Sequence, residues 1–475
     1  MKRYTYILFF IFATTVHAQP QRTFHWYFGG GAGIDFSSGQ AVADTNGQIN
    51  TWDGCATMSD ENGNLLFYTD GSTVWNRNHQ IMPNGIGLMG HWSSHQNSLI
   101  VPKPKDPRIY YIFTTDAWEN NFQNGLRYSV VDMSLDNGLG AVTTKNILLV
   151  APTHEQLAAT YHANCKDIWV ITHKRDEEKF YAYLVTENGV SNSPVVTEIG
   201  NATQLLWGCS GMKISPDGSK IVSSNYWDWL NTGIMDTIEL YDFDNTSGIL
   251  SNRITLTTDT VCVALTFSPN SLILFSIGAG VTINGIRLYQ FDLNSPDINA
   301  SQQIVYYSEQ AIGVYDAQIN PFRNEIFLTN ANNDNLPIIR NPNLMGVSSN
   351  CEYPAFSLNG RLCAACFPNF ISSYFDTDST SCFPTSVNEN FTEASDVFIY
   401  PNPAVYIDKI TIQTNNKVLT KIKLLTLTGK EVFIKKVNQQ NEVLFDISSI
   451  PSGIYLLQII TDKATENKKL VIQNK

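Results

Sequence analysis

The sequence predicts an all-β protein: a β-propeller of about seven blades followed by a small C-terminal β-sandwich. Three observations carry that prediction. Aromatic residues are 12% of the chain and charged residues only 16%, a balance that suits strands. Short apolar runs repeatedly follow polar turns rich in Asp, Asn, Pro or Gly. Those turns recur about 45 to 60 residues apart, close to the length of a four-stranded blade. The same numbers exclude other classes. A chain that is 43% hydrophobic is not wholly disordered. Eight cysteines in 475 residues make no dense disulfide framework. A formal charge of -12 argues against nucleic acid as a partner.

Taken in order, the chain opens on Lys2 and Arg3, then an apolar run from Ile7 to Ala13 that continues to Val16. Val16-His17-Ala18 offers residues a signal peptidase reads, so 1–18 is expected to be a secretory signal peptide. The run is about half the length of a membrane-spanning helix, and no other window is apolar enough, so no transmembrane segment is expected in the mature chain.

Residues 19–375 carry the repeat. Leu65-Leu66-Phe67-Tyr68 follows Asp60-Glu61-Asn62-Gly63, and Ile109-Tyr110-Tyr111-Ile112 follows Lys105-Asp106-Pro107. The same turn-then-run pattern recurs at Asp167, at Ser215-Pro216-Asp217-Gly218, at Ser268-Pro269-Asn270 and at Asn320-Pro321. Pro presets φ in such turns, and Gly or Asn accepts φ > 0, so each predicts a hairpin. Runs such as Phe180-Tyr181-Ala182-Tyr183, Leu240-Tyr241-Asp242-Phe243 and Leu288-Tyr289-Gln290-Phe291 are expected as outer strands. Ser357-Leu358-Asn359-Gly360 reads as a seventh turn with little chain after it. The N-terminal run Phe24–Phe28, or Ile34-Asp35-Phe36, is then expected to lend a strand that closes the ring.

Trp26-Tyr27-Phe28-Gly29, Asp53-Gly54-Cys55-Ala56, Gly63–Gly71 and Val74-Trp75-Asn76 together resemble a class of secreted propeller-like modules of Bacteroidetes-type bacteria, with Phe367-Pro368-Asn369-Phe370 fitting the module's end. The likeness spans 26–375 and implies no assigned chemistry.

Residues 376–396, rich in Ser, Thr, Asp and Asn, read as a linker. Residues 397–475 read as a compact β unit holding 11 lysines against 6 acidic residues, so a basic tail follows a strongly acidic body. Four motifs occur there in order: Pro401-Asn402-Pro403, a turn at Gly429-Lys430, a turn at Pro451, Gly453 and Tyr455, and a terminal strand with Lys468 and Lys469. This pattern is similar to the C-terminal sorting domain of the type IX (Por) secretion system. The resemblance implies export across the outer membrane after signal-peptide removal, with the type IX machinery as partner, and a passenger that is released or held at the cell surface.

No catalytic constellation stands out. His91-x-x-x-His95 has the zincin spacing, but Trp92 stands where that motif has Glu, and Ser93 and Ser94 lack the nucleophile elbow. No metal site and no cofactor are assigned. Asp60–Gly63, Asn332–Asn335 and Asp376-Thr377-Asp378 are calcium-prone in composition but lack EF-hand spacing. Cys351, Cys363, Cys366 and Cys382 cluster, and in an oxidising compartment they are candidates for disulfides, with three pairings open; Cys209 and Cys262 occupy matching positions in neighbouring blades and form a second candidate. Tyr226, Trp227 and Trp229 are candidate ligand-binding aromatics in a long loop. The reading is a secreted or surface-held cargo that binds a glycan or protein without catalysis; the alternative is an extracellular hydrolase or lyase with its site in the central cleft.

Overall fold

The computed structural model describes residues 20–200, 211–224, 238–279, 285–309, 313–377, 397–402, 404–405, 407–414, 418–426, 431–461 and 465–473. The chain forms two compact units that divide between 385 and 386.

The N-terminal unit is a succession of seven antiparallel sheets among the described residues. Blade 1 has three strands, His25–Phe28, Ala32–Asp35 and Val42–Asp44. Blades 2 to 7 start on Ala56–Ser59, Ser98–Pro102, Ala158–Tyr161, Met212–Ile214, Val261–Phe267 and Ala317–Ile319. Each runs outward in sequence order through four strands, and blade 4 adds a fifth, Val195–Glu198, paired with its third. First strands of successive blades pack on one another, so the burial of these starts is near complete.

The turns that the sequence marks close the first hairpin of every blade from 2 to 7. Asp60 N–H donates to Asn64 O, Lys103 to Ile109, His162 to Asp167, Ser215 to Lys220, Ser268 to Ile273 and Asn320 to Glu325, all at 2.8–3.0 Å. Each turn holds one residue in the left-handed region: Gly63, Lys105, Cys165, Gly218, Ser271 and Arg323. A single left-handed residue is what turns so tight a corner, whatever the side chain.

Three sequence expectations change here. The runs at Phe180, Leu240 and Leu288 are third strands rather than outer ones: Lys179–Thr186, Ile238–Asp244 and Ile286–Asp292 each have a further strand outside them. Ser357–Gly360 ends the last strand of blade 7, Cys351–Ser357, instead of opening a new blade. The N-terminal run lends no strand to blade 7; it makes blade 1 by itself, since 25–44 is long enough for three strands.

Closure comes from the segment after blade 7. Leu362 O accepts from Gly30 N–H, Ala365 N–H donates to Trp52 O, and Asn369 N–H donates to Cys55 O. Pro368 and Ile371 form parallel bridges with Cys55 and Ala159. Ser373 Oγ accepts from Tyr161 N–H at 2.9 Å. The segment thus touches blades 1, 2 and 4 in turn, along the first strands. Its aromatics complete the central core: Trp26 meets Phe367 at 5.4 Å and Phe327 of blade 7 at 5.7 Å between ring centroids.

The C-terminal unit is a two-sheet sandwich. Val397–Tyr400, Lys409–Thr414 and Glu442–Asp446 form one sheet; Ala404–Val405, Thr465–Gln473, Gly453–Thr461, Leu419–Thr426 and Glu431–Gln440 form the other. Ile410, Ile412 and Phe445 share a core with Ile422, Leu424, Leu457, Ile459, Leu470 and Ile472. Alternation along Lys409–Thr414 turns Ile410 and Ile412 inward.

Candidate functional site

The first strands of blades 2, 3 and 4 are each preceded, three residues upstream, by a buried ionisable residue: Asp53, His95 and Glu155. The equal register brings all three to one end of the central channel. In blades 3 and 4 the next residue is a glutamine that latches neighbouring blades. Gln96 accepts from Leu157 N–H and Met212 N–H and donates to Met212 O. Gln156 donates to Ser223 Oγ and Ser224 O. Gly54 allows the close approach of blades 2 and 3: a Cβ there would lie 2.4 Å from Asn97 N and 2.9 Å from His95 O.

The closing segment supplies the fourth group. Cys366 Sγ lies 3.3 Å from His95 Nδ1 and 3.9 Å from Asp53 Oδ1, and Asp53 Oδ1 lies 3.9 Å from His95 Nδ1. The backbone fixes each of these. Gly54 N–H donates to Ser94 O and Asp53 N–H to Trp92 O. His95 N–H donates to Glu155 Oε2 at 2.9 Å, and Phe367 N–H to Asp316 Oδ2 at 3.1 Å. Asp316 also pairs with Lys213 at 2.9 Å.

Burial sets the charge states. It pushes the Asp53 carboxyl up to about 8, with the negative charge of Glu119 adding to the effect. It drives Glu155 well above the usual carboxylate range, although Glu155 accepts the His95 backbone N–H. The same burial lowers His95 to about 4, Asp316 working against it and Lys213 with it, and holds the Cys366 thiol protonated far above its ordinary range. Without a cation the cluster is therefore a set of neutral groups.

Below it the channel is filled. Phe370, Ser372 and Phe375 of the closing segment stand among Ala158, Ile214, Thr266 and Ala317, leaving a cavity of about 30 Å³, room for a water or two. Above it two tryptophans face solvent. Trp52 is 40% and Trp92 57% exposed, on the same backbone-bonded loops that carry Asp53 and His95.

Several sequence candidates fall elsewhere. His91 does not join His95: its Nδ1 accepts from Ser93 N–H and its ring packs on Trp92. Cys351, Cys363 and Cys366 are free thiols, so the cross-links expected among them are not formed. The reason is direction: Cys366 faces His95, and the Cys363 thiol is buried against Ala364 O. Cys262 sits buried in the first strand of blade 6, its thiol against Ala264 O and Ser276 Oγ. Cys209, Cys382, Tyr226, Trp227 and Trp229 lie outside the described residues, as do Pro403, Gly429, Lys430 and the expected signal. In the tail, Ala404 pairs in parallel with Ile472, so the chain just after Pro401-Asn402 is fixed to the strand that carries Lys468 and Lys469. Tyr455 OH donates to Pro451 O across its turn. Asp53 and its partnership with Cys366 were not legible as a site: positions 53, 95 and 366 share no spacing. The equal three-residue offset before each first strand is the one signal present.

Residues 398–473 match the family described as the secretion system C-terminal sorting domain. The tail is a type IX sorting domain. The chain is thus a cargo of the type IX secretion machinery, delivered to the cell surface or the extracellular space. Among the described residues no helix is long and apolar enough to cross a membrane. No curated protein matches the chain. Similar solved structures include Pseudomonas aeruginosa periplasmic gluconolactonase (10% identity, TM-score 0.35, covering 77% of this chain and 97% of that one). A quinoprotein alcohol dehydrogenase-like protein of Bacteroides thetaiotaomicron is 12% identical with a TM-score of 0.39, over 74% of this chain and 78% of that one. Hydrazine synthase of Kuenenia stuttgartiensis is 11% identical with a TM-score of 0.38, over 77% and 94%. Likenesses so distant say nothing of activity; the propeller rests on the seven sheets themselves.

Proposed function

We propose that the type IX cargo is a non-enzymatic binding protein that engages a surface glycan or protein through the mouth of its ring. The observation that carries this reading is the pairing of two exposed tryptophans with a filled channel. Trp52 and Trp92 offer flat apolar faces held by backbone hydrogen bonds, the arrangement that stacks on sugar rings or anchors a protein partner at little entropic cost. The 30 Å³ cavity beneath is too small for a sugar unit. Tyr226, Trp227 and Trp229 belong to the same proposal: Ser224 and Ile238, which bracket their segment, pair with each other at the end of blade 5 where Met212 pairs with Ser223.

One observation favours the hydrolase reading: Asp53 and Glu155 are neighbouring carboxyls held protonated, as a general acid must be. Both are buried, at 6% and 0% exposure, which keeps a polymer substrate from them.

The test uses the secreted protein, the cell-surface polysaccharide and a panel of glycans and surface proteins. Binding should fall at least tenfold in the Trp52→Ala/Trp92→Ala double variant, with no bond cleaved in any ligand. Binding that survives the double variant, or turnover that disappears in Asp53→Asn, would sink the proposal. Deleting 397–475 should separately hold the passenger in the periplasm; surface delivery of that deletion would contradict the sorting role of the tail.

A further inference from the structure

We infer that Asp53, His95 and Cys366 form a site for a zinc-like divalent cation that locks the closing segment onto blades 2 and 3. The inference goes beyond ligand binding at the mouth and does not depend on it.

Geometry is the first argument. A tetrahedral zinc holds sulfur, nitrogen and oxygen donors at about 2.0–2.3 Å, which places those donors about 3.3–3.6 Å from one another. Here the three separations are 3.3, 3.9 and 3.9 Å. Shifts of a few tenths of an ångström bring the three donors onto three of the four positions of a tetrahedral ion. The donors are buried to 6% exposure or less, and each belongs to a different, backbone-locked stretch. Their positions are thus set before any ion arrives.

Donor chemistry is the second. One thiolate, one imidazole and one carboxylate suit a borderline cation; calcium and magnesium take oxygen donors instead. Thiolate and carboxylate together carry two negative charges, which a divalent ion balances. Among the described residues, Lys213, the lysine beside the cluster, already pairs with Asp316.

Fold is the third. A thiol exported to an oxidising compartment is at risk of oxidation unless buried or ligated. Cys366 is held by the fold at the point where the last segment of the ring meets its early blades. A cation bridging Cys366 to Asp53 and His95 ties residue 366 to 53 and 95 as a disulfide would, without a second cysteine.

The experiment uses the full mature chain, folded and purified without chelator, then stripped by dialysis against a chelator. The metal content of the untreated protein and its titration with zinc by calorimetry give stoichiometry and affinity. Titration with Co²⁺ reports the ligands, because a thiolate-to-cobalt charge-transfer band in the near ultraviolet and an intense visible d–d spectrum require a sulfur donor in a tetrahedral site. One equivalent should bind, with that band present. Zinc should raise the midpoint of thermal unfolding. Cys366→Ser should lose the band, and Asp53→Asn and His95→Gln should weaken binding at least tenfold, whereas Cys351→Ser should leave both unchanged. A folded wild-type protein that takes up no zinc or cobalt overturns the inference. So does a charge-transfer band that persists in Cys366→Ser or is lost in Cys351→Ser. Should Cys366→Ser fail to fold, the wild-type cobalt spectrum together with Cys351→Ser decides: a tetrahedral thiolate spectrum retained in Cys351→Ser supports the site, and its absence from the wild-type protein refutes it.

Discussion

Blades 2 to 7 and the segment that closes the ring reach the same burial by opposite routes. Each blade begins on a hairpin whose bonds span a few residues, closed by one left-handed residue and one backbone hydrogen bond. The closing segment, 362–376, instead bonds to Gly30, Trp52, Cys55, Leu157 and Tyr161, far upstream in the chain. Local hairpins carry little loop-closure entropy, whereas the segment can dock only after blades 1, 2 and 4 exist. The first hairpins of the blades are therefore locally specified, while the segment and blade 1 are the elements on which the closed ring depends.

The comparison breaks first at Trp26. Trp26→Ala removes the ring shared by Phe36, Phe327, Phe367 and Phe370, and should cost about 3–5 kcal/mol in urea unfolding. A loss under about 1 kcal/mol would mean that the blades close without this core.

A blade should fail differently, through acid. His173, in the second strand of blade 4, is buried against His154 and Phe180, and burial lowers it to about 3, the neighbouring His154 adding to the effect. Its folded value lies below the ordinary 6.5, so its contribution is whole above pH 6.5 and is lost as pH falls toward 3. His173→Phe should flatten the stability profile between pH 6.5 and 4 by about 2–3 kcal/mol, measured by denaturant titration at a series of pH values. An unchanged slope would place the acid sensitivity elsewhere.

The hairpins themselves give smaller effects. Gly63→Ala puts a Cβ at a left-handed position 2.6 Å from the Phe24 ring and should cost about 1–2 kcal/mol in thermal unfolding. Lys105→Gly relieves the same left-handed cost in blade 3 and should stabilise by under about 1 kcal/mol. Results of opposite sign at these two turns would sharpen the view that all six corners share one backbone rule; a destabilised Lys105→Gly would contradict it.

The hairpins and the tail were legible because their information is local. Pro-Asp-Gly at 216–218 or Gly453 before Tyr455 states its turn within a few residues, and the alternation of Lys409–Thr414 states its face. The closure was misread for the converse reason: nothing in Ser357–Gly360 says whether a turn begins a blade or ends one. Clustering in sequence between 351 and 366 likewise does not fix which way each thiol points.

By itself, then, the sequence determined an all-β ring with a period near fifty residues and a sorting tail, because turns and strand alternation are properties of neighbouring residues. Only the tertiary structure decided how the ring closes and what lies at its mouth. Asp53, His95 and Cys366 come within 4 Å of one another because three separate segments are locked by backbone hydrogen bonds to residues distant in the chain. Such a meeting depends on the packing of the whole ring and leaves no spacing for the sequence to display.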